Sequence, residues 1–320
     1  KRFRLDMIDI PELKNTVSIG DGGFIQNFSK EDAERVMSSI VTRSLRYPIS
    51  SKVIRAQKEN SSELRSKGWL KLEGALSDKL GTIDLISERL NHILDGGKID
   101  AVSDLGRQVG EEEVTTFNQS EARDNQLFLS VPEPLYNVPE ISEIIFHKTL
   151  IGLAKSFFES MPAVGTLNLR KSFANNLDSE NTTLFHVDPN SPYFFKAFVY
   201  LKDVDSVDDG PFTYVEGSVD NKPDNLLENY RWSDNEIENF YGKDKIKHLT
   251  AKKGDVLFAM TTGFHKGQKC ISNDRELLTI DYVCHPDSWD IKKSMLIKRD
   301  TFLNLKQEDL PLTDFLTISA

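Results

Sequence analysis

The sequence predicts an α+β fold with a mainly β core: a β-barrel or double-sheet jelly roll wrapped by N-terminal helices. Three observations predict it. The long helical apolar stripes lie in the first half of the chain, the last of them ending near Phe158. From residue 165 to 285 the pattern changes to short alternating or apolar runs, "TLNLRKSF", "FFKAFVYL", "FTYVEG", "GDVLFAM" and "ELLTIDYV", separated by turn clusters. A length of 320 residues with 38% hydrophobic side chains supplies a substantial core without covalent staples. Helices followed by strands is the order of a β core with helices packed against it.

Taken in order, Ser29 to Leu45 reads as a helix. Ser29 is its N-cap with Asp32 three residues on, and Ala33, Val36, Met37, Ile40, Val41 and Leu45 form its apolar face. A polar link follows. In "ELRSKGWLKLEGALSDKL" a short strand spans Trp69 to Leu72, and Ser77 caps a helix whose stripe is Leu80, Ile83, Ile86, Leu90, Ile93 and Leu94; "DGG" at 95–97 stops it. A further helix runs from Ile141 to Phe158, with "VPE" at its start. Among the strands that follow, Asp220 to Lys247 is a polar insertion with a helix around "SDNEIENFYG". Its place in the chain is that of a lid over a pocket. No repeat or low-complexity block divides the chain, so the expected organisation is an N-terminal helical extension, 1–62, and one domain, 63–320, with the lid at 220–250.

Composition narrows the function classes. Fifty acidic residues against 40 basic ones give a net charge of −10, which disfavours nonspecific adhesion to nucleic acid or anionic lipid, and no basic stripe offsets it. No run of about 18 apolar residues is present, and "KRFRLDMIDI" has no apolar stretch behind it, so neither a membrane span nor a signal peptide is read. A soluble cytoplasmic protein acting on a small molecule is expected. The first residue, Lys1, reads as the start of an excised or processed piece. Cys270 and Cys284 are read as reduced, structural thiols. Nothing indicates an oligomeric state.

The chemistry begins in "TTLFHVDPNSPYFFKAFVYLKDV". In an extended segment residues two apart face the same way, so His186 and Asp188 present one nitrogen and one oxygen ligand to a common point. A third ligand is needed, and His265, just after the apolar strand of "KKGDVLFAM", is the distinctive candidate. Two histidines and one carboxylate with open positions opposite suit non-haem Fe(II) oxygenases, and the lack of cysteine disfavours structural zinc. Arg275, on the following strand, needs an anion if it lies inside the barrel; a dicarboxylate co-substrate would supply one.

These pieces, in this order, resemble the phytanoyl-CoA dioxygenase family of Fe(II)/2-oxoglutarate-dependent oxygenases. The resemblance rests on "ELRSKGWLKLEGALSDKL", "FHVD", "DDGPFTYVEGSV", "KKGDVLFAM", "FHKG" and "NDRELLTIDYV", and covers roughly residues 63 to 285. It implies a double-stranded β-helix (cupin-like jelly roll) with Fe(II) on His186, Asp188 and His265. Arg275 would grip the distal carboxylate of 2-oxoglutarate, and Arg170 and Ser172 would make further co-substrate contacts. It also implies O2 as co-substrate, release of succinate and CO2, and oxidation, most simply hydroxylation, of a small organic molecule. "GSV" replaces the family's Gly-Ser-His, and residues 1–62 and 286–320 have no counterpart, so the substrate is not specified.

Other readings stand beside this one. His186 and Asp188 alone would suit a surface turn in which Asp188 caps "PNSP". Arg275 alone would suit a salt bridge to Asp274 or Glu276. Tyr193, Phe194 and Phe195 read as core more than substrate clamp, and Trp232 as packing. For the whole protein the alternatives are an inactive jelly-roll binding module and a cupin-like metal hydrolase or isomerase.

Overall fold

The computed structural model describes residues 17–19, 25–27, 30–95, 101–103, 113–115, 119–188, 193–224, 231–285 and 295–319. After the pair β1 (Val17–Ile19) and β2 (Ile25–Asn27) comes α1 (Lys30–Arg46). The expected polar link is two helices, α2 (Ser51–Ala56) and α3 (Lys58–Lys67). Ser50 caps α2 by accepting from the Val53 amide, and α3 buries only Ser61 and Leu64, so neither has the apolar stripe that periodicity detects. Gly68 ends α3 at φ 82°, and a Cβ there would lie 2.2 Å from the Tyr214 hydroxyl. Both conformation and space require glycine.

β3 (Trp69–Leu72) lies where expected, and α4 (Leu80–Asp95) buries Ile83, Ile86, Leu90 and Leu94. Ser77 is not its cap: it opens a 3-10 turn, Ser77–Lys79, that leads into the helix, and Leu80 is exposed. β4 (Ala101–Ser103), β5 (Glu113–Thr115), α5 (Gln119–Asn125), β6 (Phe128–Val131) and α6 (Pro134–Asn137) follow. The single helix expected from Ile141 to Phe158 is two, α7 (Ile141–Ile145) and α8 (Lys148–Phe158). His147 breaks it, holding extended backbone while its Nδ1 accepts from the Thr149 amide at 3.4 Å. Both pieces bury their faces in one core, so the apolar spacing runs on through the break.

The remaining elements are β7 (Ala163–Ser172), β8 (Phe195–Tyr200), β9 (Phe212–Val215), α9 (Asp234–Tyr241), β10 (Ile246–Leu249), β11 (Val256–Ala259), β12 (His265–Gly267), β13 (Arg275–Val283), β14 (Met295–Ile297), α10 (Arg299–Leu303) and β15 (Leu316–Ile318). β14 and β15 form a parallel pair. Two antiparallel sheets make the jelly roll: a large one in the order β3-β11-β8-β13-β7-β6-β4-β5, and a small one, β10-β9-β12.

Alternation along the large sheet divides its side chains. Leu278, Ile280, Val199 and Phe195 share the core with Ile86 and Leu90 of α4 and with Phe157 of α8. Arg275, Leu277 and Thr279, opposite Ser172, Arg170 and Asn168, take the other face, toward the small sheet. The N-terminal helices are built into this body. Val36, Ile40 and Leu64 belong to the main core, and buried Arg43 donates to the carbonyls of Met161, Pro162 and Pro311 while pairing with Asp314 at 2.9 Å. Among the described residues no helix is long and apolar enough to cross a membrane.

Candidate metal centre

A 3-10 turn, Asn181–Thr183, closed by reciprocal Glu180 and Thr183 hydrogen bonds, delivers the chain in extended form to His186. His186 then pairs in antiparallel fashion with His265, each amide donating to the other's carbonyl at 3.0 Å, and the Asp188 amide donates to Thr261 O at 2.8 Å. These backbone bonds bring the three sequence-predicted ligands together: one donor atom from each of His186, Asp188 and His265 lies within 4.8 Å of the others.

The two imidazoles are set alike. His186 Nδ1 lies 2.9 Å from Leu184 O, and His265 Nδ1 lies 3.0 Å from Gly263 O. A carbonyl only accepts, so each Nδ1 carries a hydrogen, which leaves Nε2 as the atom of each ring available to a metal. Those Nε2 atoms face Asp188, at 3.8 Å from Oδ1 for His186 and 3.4 Å from Oδ2 for His265. Burial, then the neighbouring His265 and Arg231 charges, hold the His186 pKa well below its usual value, which keeps the ring neutral. Burial alone would raise Asp188; Lys196, His265 and His186 outweigh it and hold the carboxyl well below the usual range. Two imidazole nitrogens whose far sides are held by backbone carbonyls, and an ionised carboxylate, are a donor set that fits a divalent first-row metal.

Arg275 stands beside this group. It is buried, donating through Nη1 to Gly210 O and through Nη2 to Ser172 Oγ at 3.2 Å, while its Nε has no hydrogen-bond partner among the described residues. The salt-bridge alternative does not hold. Asp274 pairs with Arg123 at 2.5 Å, and Glu276, on the opposite face, pairs with Lys202 at 2.7 Å. A Cβ on Gly267 would come within 3.0 Å of Arg275 Nη2. Gly267 is two residues beyond His265 on β12, so the guanidinium and the metal-facing imidazole lie on one side of that strand, roughly 7 Å apart along it.

The remaining predicted residues separate. Ser172 is in the Arg275 shell. Arg170 lies on the same face, flat over the Phe128 ring at 3.7 Å, with Nε 3.3 Å from Ser130 Oγ and Nη1 3.2 Å from Thr182 Oγ1. Lys171 points to the helices, 2.6 Å from Asn91 Oδ1. Tyr193 and Phe195 pack with Phe157 and Phe158 in the core, Phe194 packs with Val283, and both cysteines are buried and free.

The described part of the insertion packs behind the ligand strands. Phe185, Val187 and Phe264 alternate with the ligands and point away from the metal side, where they cluster with Val215, Trp232 and Ile237. Trp232 pairs its backbone with Phe185 in both directions, and Lys266, next to His265, reaches Asp234 at 2.6 Å. The described part of the insertion therefore braces the ligand strands from behind; residues 225–230, which belong to the expected lid, lie outside the described residues.

Sequence reasoning missed three groups. Ser218 Oγ accepts from the Phe264 amide at 2.7 Å and so fixes the strand entering His265. Lys196 Nζ lies 3.1 Å from Asp188 Oδ2 and 3.5 Å from Asp281 Oδ2. Lys196 is the one charge in the apolar strand "FFKAFVY" and Asp281 the one charge in the stretch "LLTIDYV" of β13, and that irregularity was the available signal.

No protein-family model and no curated protein sequence matches the chain. Among solved structures, it is similar to the non-haem α-ketoglutarate-dependent epimerase SnoN from nogalamycin biosynthesis, with 17% identity, a TM-score of 0.52, and coverage of 72% of this chain and 83% of that one. SnoN in complex with Fe3+, α-ketoglutarate and nogalamycin RO matches at 15% identity and TM-score 0.52, covering 72% and 84% of the two chains. These likenesses, together with the two facing antiparallel sheets, identify the fold as a double-stranded β-helix flanked by N-terminal helices.

Proposed function

We propose that the protein is an Fe(II)- and 2-oxoglutarate-dependent oxygenase that hydroxylates a small organic molecule, releasing succinate and CO2. The observation that carries this reading is the pairing, on one side of β12, of the His186, Asp188 and His265 donors with the buried Arg275 guanidinium. SnoN, which shares the fold, has been captured with iron and α-ketoglutarate, and that supports the same cofactors here.

When bound, iron and 2-oxoglutarate supply the activation of O2, chemistry that no side chain provides. The chain's own residues do the rest. His186 and His265 offer Nε2 lone pairs whose direction is set by Leu184 O and Gly263 O. Asp188 would supply the anionic ligand, so that the metal would be held by one carboxylate and two imidazoles. Arg275, oriented by Ser172 and Gly210, receives the distal carboxylate of 2-oxoglutarate, and Arg170 adds a further contact for it. Burial of both charges makes that pair far stronger than an exposed one. Residues 63–320 form the catalytic domain, with the helices before it completing its core.

The test is anaerobic. Purified protein is titrated with Fe(II) and then 2-oxoglutarate, and a metabolite panel is screened for substrate-stimulated succinate. Metal-dependent 2-oxoglutarate binding and a hydroxylated product are expected. Absence of iron uptake would identify a metal-free binding module. Iron uptake without 2-oxoglutarate binding would identify a metal hydrolase or isomerase.

A further inference from the structure

Lys196 is an unusual neighbour for a metal ligand. Its ammonium is held between two carboxylates, at 3.1 Å from Asp188 Oδ2 and 3.5 Å from Asp281 Oδ2. Its place follows from register: Lys196 pairs with Asp281 across β8 and β13, and both side chains take the sheet face that looks toward the metal group. On the other side of β13 the register with β7 shifts, so that Gly165 and Thr166 together oppose Asp281. A bulge of this kind re-aims a side chain, and Thr166 here hydrogen-bonds the Asp281 carboxyl. A chain of contacts thus runs Thr166, Asp281, Lys196, Asp188. Nothing in the folding of a jelly roll asks for a lysine and a second aspartate on this face, and such a buried pair stabilises little by itself.

We propose that Lys196, braced by Asp281, is a positioning residue that fixes the carboxylate of Asp188 so that one oxygen is committed to the ammonium and the other to the metal. This rests on the metal-site reading above. A carboxylate free to rotate can offer both oxygens to one metal and so occupy a position that a co-substrate needs; an ammonium on Oδ2 prevents that. Asp281 contributes by holding Lys196 in place and by sharing its positive charge, which otherwise stands close to the bound cation. Lys196 touches no reacting atom in this arrangement and acts through Asp188.

The experiment uses the full chain and Co(II) as the probe, followed by calorimetry, with melting of the metal-free protein measured in parallel. Lys196→Met should weaken Co(II) binding by about 10- to 100-fold, the range found when partners of metal ligands are removed. Lys196→Arg should recover part of that loss. Because Lys196→Met leaves Asp281 buried without its cation, the variant Lys196→Met/Asp281→Leu removes the pair as a unit and supplies a folded control. A merely structural role would shift melting and leave Co(II) affinity alone. Affinity in the double variant equal to or tighter than the parent's would overturn the proposal. His186→Ala distinguishes the two levels: if it still binds Co(II) with parental affinity, the metal-site reading itself fails, whereas loss of binding in His186→Ala beside unchanged binding in the Lys196 variants removes only the positioning role.

Discussion

Gly267 shows how one hydrogen atom in place of a methyl group shapes the proposed co-substrate site. The Arg275 fork occupies the space where any other side chain on Gly267 would begin, at 3.0 Å from Nη2. Gly267→Ala should displace the guanidinium by a few tenths of an ångström and raise the 2-oxoglutarate requirement severalfold, with Co(II) affinity unchanged; a 2-oxoglutarate titration of the cobalt-loaded protein measures this, and an unaltered curve would move the anion site away from Arg275. Its neighbour Asp274 predicts a pH dependence. Burial alone would raise that carboxyl, but Arg123, the Ala174 amide and Lys171 outweigh it and hold its pKa below the usual 3.8. With a depressed folded value, the stabilisation is complete above the unfolded value and is lost as pH falls through the folded one, so the window lies below about pH 4. Asp274→Asn should flatten the fall in denaturant midpoint between pH 5 and pH 3; a slope matching the parent's would show that other carboxylates govern acid unfolding. At this scale the ligands were legible because strand alternation forces His186 and Asp188 to one side. Lys196 and Asp281 were not, since a lone charge in a strand has no spacing partner in the sequence, and its partner is fixed only by register.

Among the described residues, Ile237 and Asp234 of helix α9 meet the ligand strands on their rear face, so its contribution is to their rigidity. Trp232 lies edge-on to Phe264 with ring centroids 5.7 Å apart, is 5% exposed, and pairs through its backbone with Phe185. Trp232→Ala should cost about 3–5 kcal/mol by emptying that cluster and should also loosen the positions of His186 and His265, lowering Co(II) affinity severalfold, while Trp232→Phe should retain most of both. Chemical denaturation and metal titration measure the two effects separately, and a destabilised variant with parental metal affinity would limit the brace to folding. The direction in which an insertion folds is set by which face of the strands it finds, and that depends on side chains such as Phe185, Val187 and Phe264 whose exposure is known only once the sheets are paired. Its helix was legible in "SDNEIENFYG", and the structure adds the reciprocal caps Ser233 and Glu236 at its start; its side of the barrel was not legible. The same limit explains α2 and α3, whose polar sequences give no periodic stripe, and the break at His147, where an uninterrupted apolar spacing conceals a change of direction.

At the scale of the molecule, the two halves of the proposed site belong to different sheets. His265 lies in the small sheet and carries His186 with it through their mutual backbone pair, whereas Arg275 and Ser172 lie side by side in the large one. The class of fold was legible from the change of period after Phe158, but this division was not, because strand order joins segments far apart in the chain, as β11 does by lying between β3 and β8. A co-substrate bound to metal at one end and to Arg275 at the other would join the sheets, and joining them adds to stability by linkage: a ligand at 100 times its Kd contributes about 2.7 kcal/mol to a fold that it binds only when native. Metal alone, at one fixed concentration, should raise the melting temperature by a fixed increment. Metal with 2-oxoglutarate should raise it further, in proportion to the logarithm of 2-oxoglutarate concentration, and 2-oxoglutarate without metal should do little. In Arg275→Ala the metal increment should persist and the second should largely vanish, since the variant keeps the donors and loses the anchor on the opposite sheet. Differential scanning fluorimetry under anaerobic conditions, or with Co(II) in air, resolves the increments. A full 2-oxoglutarate increment in Arg275→Ala, or one of equal size without metal, would show that the dicarboxylate binds elsewhere and that the two sheets are held together by packing alone.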